Sequence, residues 1–121
     1  MSRYFAPAEF RRCNPPCEIE QMSPEFLERL DRVRVNAGIP LVLNCAYRSR
    51  EWDKAKGRDG NSAHTRGLAV DIRCLSSATR WKIVRAALIC DIRRIGIGKT
   101  FVHLDCDKTL PQGVIWDYYE G

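Results

Sequence analysis

The sequence predicts an α+β fold with a small, mainly antiparallel sheet flanked by helices. Three observations carry this. Segments 22–40 and 76–91 repeat apolar residues at helical spacing, and several short apolar runs read as strands. The two kinds of element mix without the regular strand–helix alternation of a parallel sheet. At 121 residues the chain is about one domain, so 1–121 is expected to fold as one unit.

The first long helix lies within MSPEFLERLDRVRVNAGIP, residues 22–40. Ser23 is a good N-cap, Pro24 suits the first helical position, and Gly38 followed by Pro40 stops the helix. Phe26, Leu27, Leu30, Val33 and Ala37 share one face, which makes it a packing helix. PLVLNCAY, residues 40–47, reads as a buried strand. The polar stretch 48–67 follows, with one helical turn near Trp52.

LAVDIRC, residues 68–74, is a second strand. SSATRWKIVRAALICD, residues 76–91, is a second amphipathic helix, with Trp81, Val84 and Leu88 on one face and Ile83 and Ala87 beside them. RRIGIGKTFVHLDC, residues 93–106, gives two short strands around a turn at Gly98 and Lys99, and GVIWDYY adds a last strand.

Composition narrows the function. Hydrophobic residues make up 45% and charged residues 29%, an ordinary globular balance rather than that of a disordered segment. No apolar run approaches the roughly 20 residues that span a bilayer. MSRYFAPAEFRRC lacks the apolar core of a secretory signal, so the expectation is a chain that is cytoplasmic when made. Net charge is +5, with arginines scattered from Arg3 to Arg94 and no like-charged block. That pattern favours loose attraction to polyanions over a dedicated nucleic-acid stripe.

Six cysteines without an export signal are expected to be mostly free thiols. Cys13 and Cys17 bracket a turn but lack a second pair at matching spacing, and Cys45 and Cys90 read as core residues. Trp52 and Trp116 could line a cleft, although packing is the commoner fate of a tryptophan in a small domain.

The chain has two histidines, each beside a carboxylate in an apolar strand context. Alternation along LAVDI puts Ala69 and Asp71 on one face, and along FVHLD it puts Phe101, His103 and Asp105 on one face. Cys74 and Cys106, three residues after Asp71 and His103, turn to the opposite face. Two adjacent strands can present Asp71 and His103 to a shared point, with His64 supplied by the loop before the first strand. Two imidazoles and one carboxylate suit zinc and leave a fourth position for water. Taken singly, each histidine reads equally as a hydrogen-bonded structural residue.

SAHTRGLAVD carries Ser62, His64, Gly67, Ala69 and Asp71 at every fixed place of SxHxxGxAxD. In this it resembles the zinc D-Ala-D-Ala carboxypeptidase family, whose relatives include vancomycin-resistance dipeptidases and phage endolysins. CAYRS resembles the segment upstream of that motif, FVHLD the region of the third ligand, and YFAPAEF the start of the short single-domain branch.

The resemblance implies a hedgehog/D-Ala-D-Ala peptidase-like fold and a zinc peptidase acting on peptidoglycan stem peptides. It implies no nucleic-acid or membrane partner, a monomer, and action on the cell wall after release or within a virion. By the same resemblance His64, Asp71 and His103 are the Zn2+ ligands. Arg48, Tyr47 and Ser62 serve the substrate, Arg48 counting also among the catalytic residues. Gly67 permits the tight passage from loop to strand, and Ala69 leaves room beneath the metal.

Many members of that family place an acidic general base three positions before the last histidine ligand, and that position here is Thr100. Asp105 is the preferred replacement, with support of a histidine ligand as its alternative role. The missing acid also leaves open an inactive, zinc-containing wall-binding or virion structural module. A small basic nucleic-acid binder has only the charge in its favour.

Overall fold

A computed structural model of the protein describes Ser2 and residues 4–119, and all structural statements concern those residues. The helices are α1 (Pro7–Arg11), α2 (Pro24–Ala37), α3 (Arg50–Ala55) and α4 (Ser77–Ile89). The strands are β1 (Leu43–Cys45), β2 (Ala69–Arg73), β3 (Arg94–Ile97), β4 (Phe101–Asp105) and β5 (Val114–Asp117). They form a five-stranded sheet of order β1-β2-β4-β3-β5, antiparallel throughout except for the β3–β5 pair, so the architecture is α+β as the sequence predicts. No helix among the described residues is long and apolar enough to cross a membrane.

α2 begins where its cap residues put it. The Ser23 hydroxyl accepts the Phe26 N–H at 3.3 Å, a bond that typically stabilises a helix by about 1 kcal/mol, and Gly38 closes the helix at φ +67°. Phe26, Leu27, Leu30 and Val33 are buried, each contributing roughly 1.5–3 kcal/mol of apolar burial. α2 packs on α4, and its buried residues share one core cluster with Val70, Ile72, Ile95, Val102 and Leu104 of the sheet. The helices thus cover one face of the sheet. The alternate residues of β2 and β4, Asp71 and His103 among them, open onto the other face.

α4 corrects the expected packing face. Trp81 and Leu88 are 65% and 56% exposed, while Ile83, Ala86 and Ala87 are buried. Apolar side chains surround this helix on several sides, so spacing alone cannot choose the inner face. The small alanines win it because they allow close approach to α2 and β4.

The expected strand at 40–47 shrinks to Leu43–Cys45. Leu43 pairs with Ile72 and Cys45 with Asp71, so a two-residue step opposes a one-residue step and Asn44 is bulged. The Asn44 carbonyl accepts the Asn14 N–H at 2.9 Å, joining the bulge to the turn between Cys13 and Cys17. Cys74 is buried in the core and Cys106 packs against it, both away from the Asp71–His103 face.

Candidate metal centre

His64 sits in a single 3-10 turn, Ala63–Arg66, that leads into β2. Gly67 ends the turn at φ +69°, where a side chain is disfavoured. A Cβ there would lie 2.3 Å from the Gln21 carbonyl oxygen, so only glycine fits the approach. The Gly67 carbonyl also accepts the Ser23 N–H at 2.9 Å, fastening the turn to the start of α2. The passage from loop to strand is therefore held on both sides.

Asp71 of β2 and His103 of β4 are directly opposite in the antiparallel register. His103 Nδ1 lies 3.0 Å from Asp71 Oδ1, and His64 Nε2 lies 3.4 Å from the same oxygen. The two imidazole centroids are 5.1 Å apart. Three donors from a turn and two strands thus converge on one point of the cleft floor.

The other nitrogen of each ring is already committed. His64 Nδ1 meets the Ala46 carbonyl at 2.7 Å, and a carbonyl can only accept, so that nitrogen carries the proton. His103 Nε2 donates to Asp105 Oδ2 at 2.6 Å. Each ring therefore turns its remaining nitrogen toward Asp71. With both rings neutral, three acceptors face one another at 3.0 and 3.4 Å, an arrangement that a cation between them relieves. Tetrahedral zinc with bonds near 2.0–2.1 Å sets donor separations of roughly 3.3 Å, and the two distances to Asp71 Oδ1 lie close to that. The residues fit the metal in number and chemistry.

The two carboxylates also favour a proton on His103, which a metal would have to displace. Burial opposes charge on His103, yet hydrogen bonds to Asp105 and Asp71 outweigh it and raise its pKa. Burial likewise opposes ionisation of Asp71, but its bonds to His103 and His64 hold it well below the usual carboxylate range.

Cys45 stands closer to this centre than a packing role requires. Its sulfur, with His64 and Asp71, forms a group of three donor atoms all within 4.8 Å of one another. It approaches His64 at Nδ1, 3.8 Å away, the nitrogen already turned to Ala46. Burial pushes the Cys45 thiol up to about 11, so it stays protonated at neutral pH. The thiol backs the His64 ring, whereas His103 faces the shared point.

Asp105 is buried, and both its oxygens are occupied. Oδ2 accepts from His103, and Oδ1 accepts from Arg94 Nε at 2.8 Å and from the Asp107 N–H at 3.1 Å. Arg94 is itself fixed by the Pro111 carbonyl at 2.8 Å and by the Trp116 ring, 4.7 Å below its guanidinium. Thr100 lies exposed in the β3–β4 turn and is not among the residues lining the cleft.

The cleft measures about 310 Å³. Its floor includes His64, Asp71 and His103, with Arg48, Arg58 and Ser62 on one side and Trp116 and Tyr118 among the remaining wall. Trp116 is half-buried with its ring 5.5 Å from His103, so here the cleft-lining alternative holds. Tyr47 packs against the hydrophobic cluster, while its neighbour Arg48 is among the residues lining the cleft. Ser62 does line the cleft, donating to Asp53 Oδ2 at 2.9 Å and accepting from Arg48 at 3.4 Å.

Asp53, Arg58, Arg94 and Tyr118 join the site without a motif to announce them. The charge pattern in 48–67 offers only a polar run, and the β5 aromatics reach the cleft through strand pairing alone. A family model described as peptidase M15 matches residues 3–105. No curated protein and no solved structure matches the chain.

Proposed function

The chain belongs to the peptidase M15 family of zinc-dependent metallopeptidases, and from that premise we propose that it hydrolyses amide bonds in peptidoglycan stem peptides. The observation that carries the site is the convergence of His64 Nε2 and His103 Nδ1 on Asp71 Oδ1. These three residues would hold the zinc, which would supply Lewis-acid polarisation of the scissile carbonyl and a lowered pKa for water.

The protein's own groups do the rest. Ala46 and Asp105 fix the tautomer and the orientation of the two imidazoles, as outer partners of metal-bound histidines do. Asp105 acts on His103 and not as the proton carrier, because its oxygens are already bonded on both sides. Arg48 anchors a substrate carboxylate through its planar fork of donors. Trp116 and Tyr118 add aromatic wall to the same cleft, against which the peptide would pack.

Metal content and turnover measured on one preparation test this reading. The expected result is about one zinc per chain and release of new amine from intact sacculi or synthetic D-alanyl peptides between about pH 5 and 9. Zinc-loaded protein that releases no amine would leave the inactive wall-binding module as the function.

A further inference from the structure

Arg48 is almost completely buried although it lines the cleft, and the group opposite it is Asp53, with no exposed surface. Arg48 Nε lies 2.6 Å from Asp53 Oδ1, a contact of charges whose angle falls short of a hydrogen bond. The second Asp53 oxygen accepts from Ser62, which in turn accepts from the NH2 nitrogen of Arg48 at 3.4 Å. NH1 reaches the Cys45 sulfur at 3.6 Å. Asp53 is itself held in the first turn of α3, its N–H donating to the Ser49 carbonyl at 3.1 Å.

A guanidinium has five N–H donors. With Nε against Asp53 and one hydrogen on each terminal nitrogen engaged by Ser62 and Cys45, one N–H remains on each terminal nitrogen. Two parallel donors are what a carboxylate takes. Arg48 thus keeps one N–H on each terminal nitrogen for a ligand that enters the cleft.

Stability alone is a poor reason for such a pair. A buried ion pair loses much of its attraction to desolvation, and apolar residues of similar volume often serve the fold as well. We infer that Asp53 is a positioning residue that presets Arg48 as a carboxylate clamp, an inference that rests on the substrate role proposed above for Arg48. Preorganisation of this kind improves binding by removing the cost of ordering a long side chain after the ligand arrives. Ser62 extends the same brace to the loop that carries His64.

The test compares a D-alanyl peptide ending in a free carboxylate with its C-terminal amide, on zinc-loaded wild type, Asp53→Asn and Asp53→Ala. Wild type is expected to prefer the acid. Asp53→Asn, nearly isosteric and still able to accept from Ser62, should lose about tenfold or more of that preference through KM, with kcat and zinc content little changed. Combining Asp53→Asn with Arg48→Lys should add little to Arg48→Lys alone, because both act on one contact. A purely structural role would instead slow both peptides alike.

A second measurement needs no variant at Asp53. In wild-type protein the Arg48 Nε–H, assigned through Arg48→Lys, should exchange with solvent far more slowly than exposed arginines. Unchanged acid preference in both Asp53 variants, or fast exchange at Arg48 Nε, overturns the inference. A wild type with no acid preference but a protected Nε–H points elsewhere: the carboxylate role of Arg48 falls, and the clamp falls with it.

Discussion

Asp105 lies 2.6 Å from the Nε2 nitrogen of His103, on the side of the ring away from Asp71. A carboxylate there holds the ring's proton in place and makes the opposite nitrogen a better donor to a metal. Asp105→Asn should therefore lower zinc affinity about tenfold or more, with much of the rate returning when zinc is added. Chelator competition and turnover with added zinc measure both effects. A loss of roughly 100-fold at full zinc occupancy would restore Asp105 as the proton carrier.

The two possible donor groups make opposite predictions. Cys45→Ser should keep about one zinc per chain, since the thiol meets His64 at the nitrogen already bonded to Ala46. The double variant His64→Ala, His103→Ala should lose the metal. Retention of full zinc by that double variant, measured by elemental analysis, would transfer the site to the cysteines.

Zinc binding should strengthen as pH rises. Charged His103 carries a proton that the metal must displace, and its pKa is raised above the ordinary value of 6.5. Affinity should gain up to about tenfold per pH unit for one displaced proton until pH passes that raised pKa. The zinc-free fold runs the other way. Its stabilisation by charged His103 is complete below about pH 6.5 and is lost as pH climbs through the raised value. Thermal melts with and without zinc, over pH 5 to 8, should show the two slopes with opposite signs.

Arg48→Lys should keep the zinc but weaken turnover about tenfold or more, because a point charge cannot reproduce a two-pronged contact. Unchanged kinetics would make Arg48 a structural partner of Asp53 and no more.

Gly67→Ala tests how the metal turn is fastened. An added Cβ meets the Gln21 carbonyl at 2.3 Å while φ stays at +69°. The change should cost about 2 kcal/mol or more in stability and weaken zinc binding as His64 moves. Thermal unfolding and chelator competition report the two losses.

Much of this site was legible in the residues because strand alternation is a rigid rule. It placed Asp71, His103 and Asp105 on one face, and register brought the first two opposite each other. The α2 boundaries were legible because Ser23, Pro24 and Gly38 each satisfy a local backbone requirement. Asp53 was not, since nothing in a polar run separates a solvated carboxylate from one that tertiary packing encloses. The inner face of α4 escaped for a related reason: apolar residues on several sides leave the periodicity undecided until α2 and the sheet choose among them. The bulge in β1 offers its Asn44 carbonyl to Asn14, a contact spanning 30 positions that no local pattern announces.

β5 joins the sheet beside β3, beyond the 3–105 span that matches the family, and brings Trp116 and Tyr118 to the cleft. The proposed metal donors and Arg48 all lie within that span. The segment after that span does two jobs at once: Trp116 and Tyr118 shape the cleft wall, while the Asp107 N–H, the Pro111 carbonyl and the Trp116 ring brace Asp105 and Arg94 behind His103, so a change of fit there is also a change beneath the metal donors.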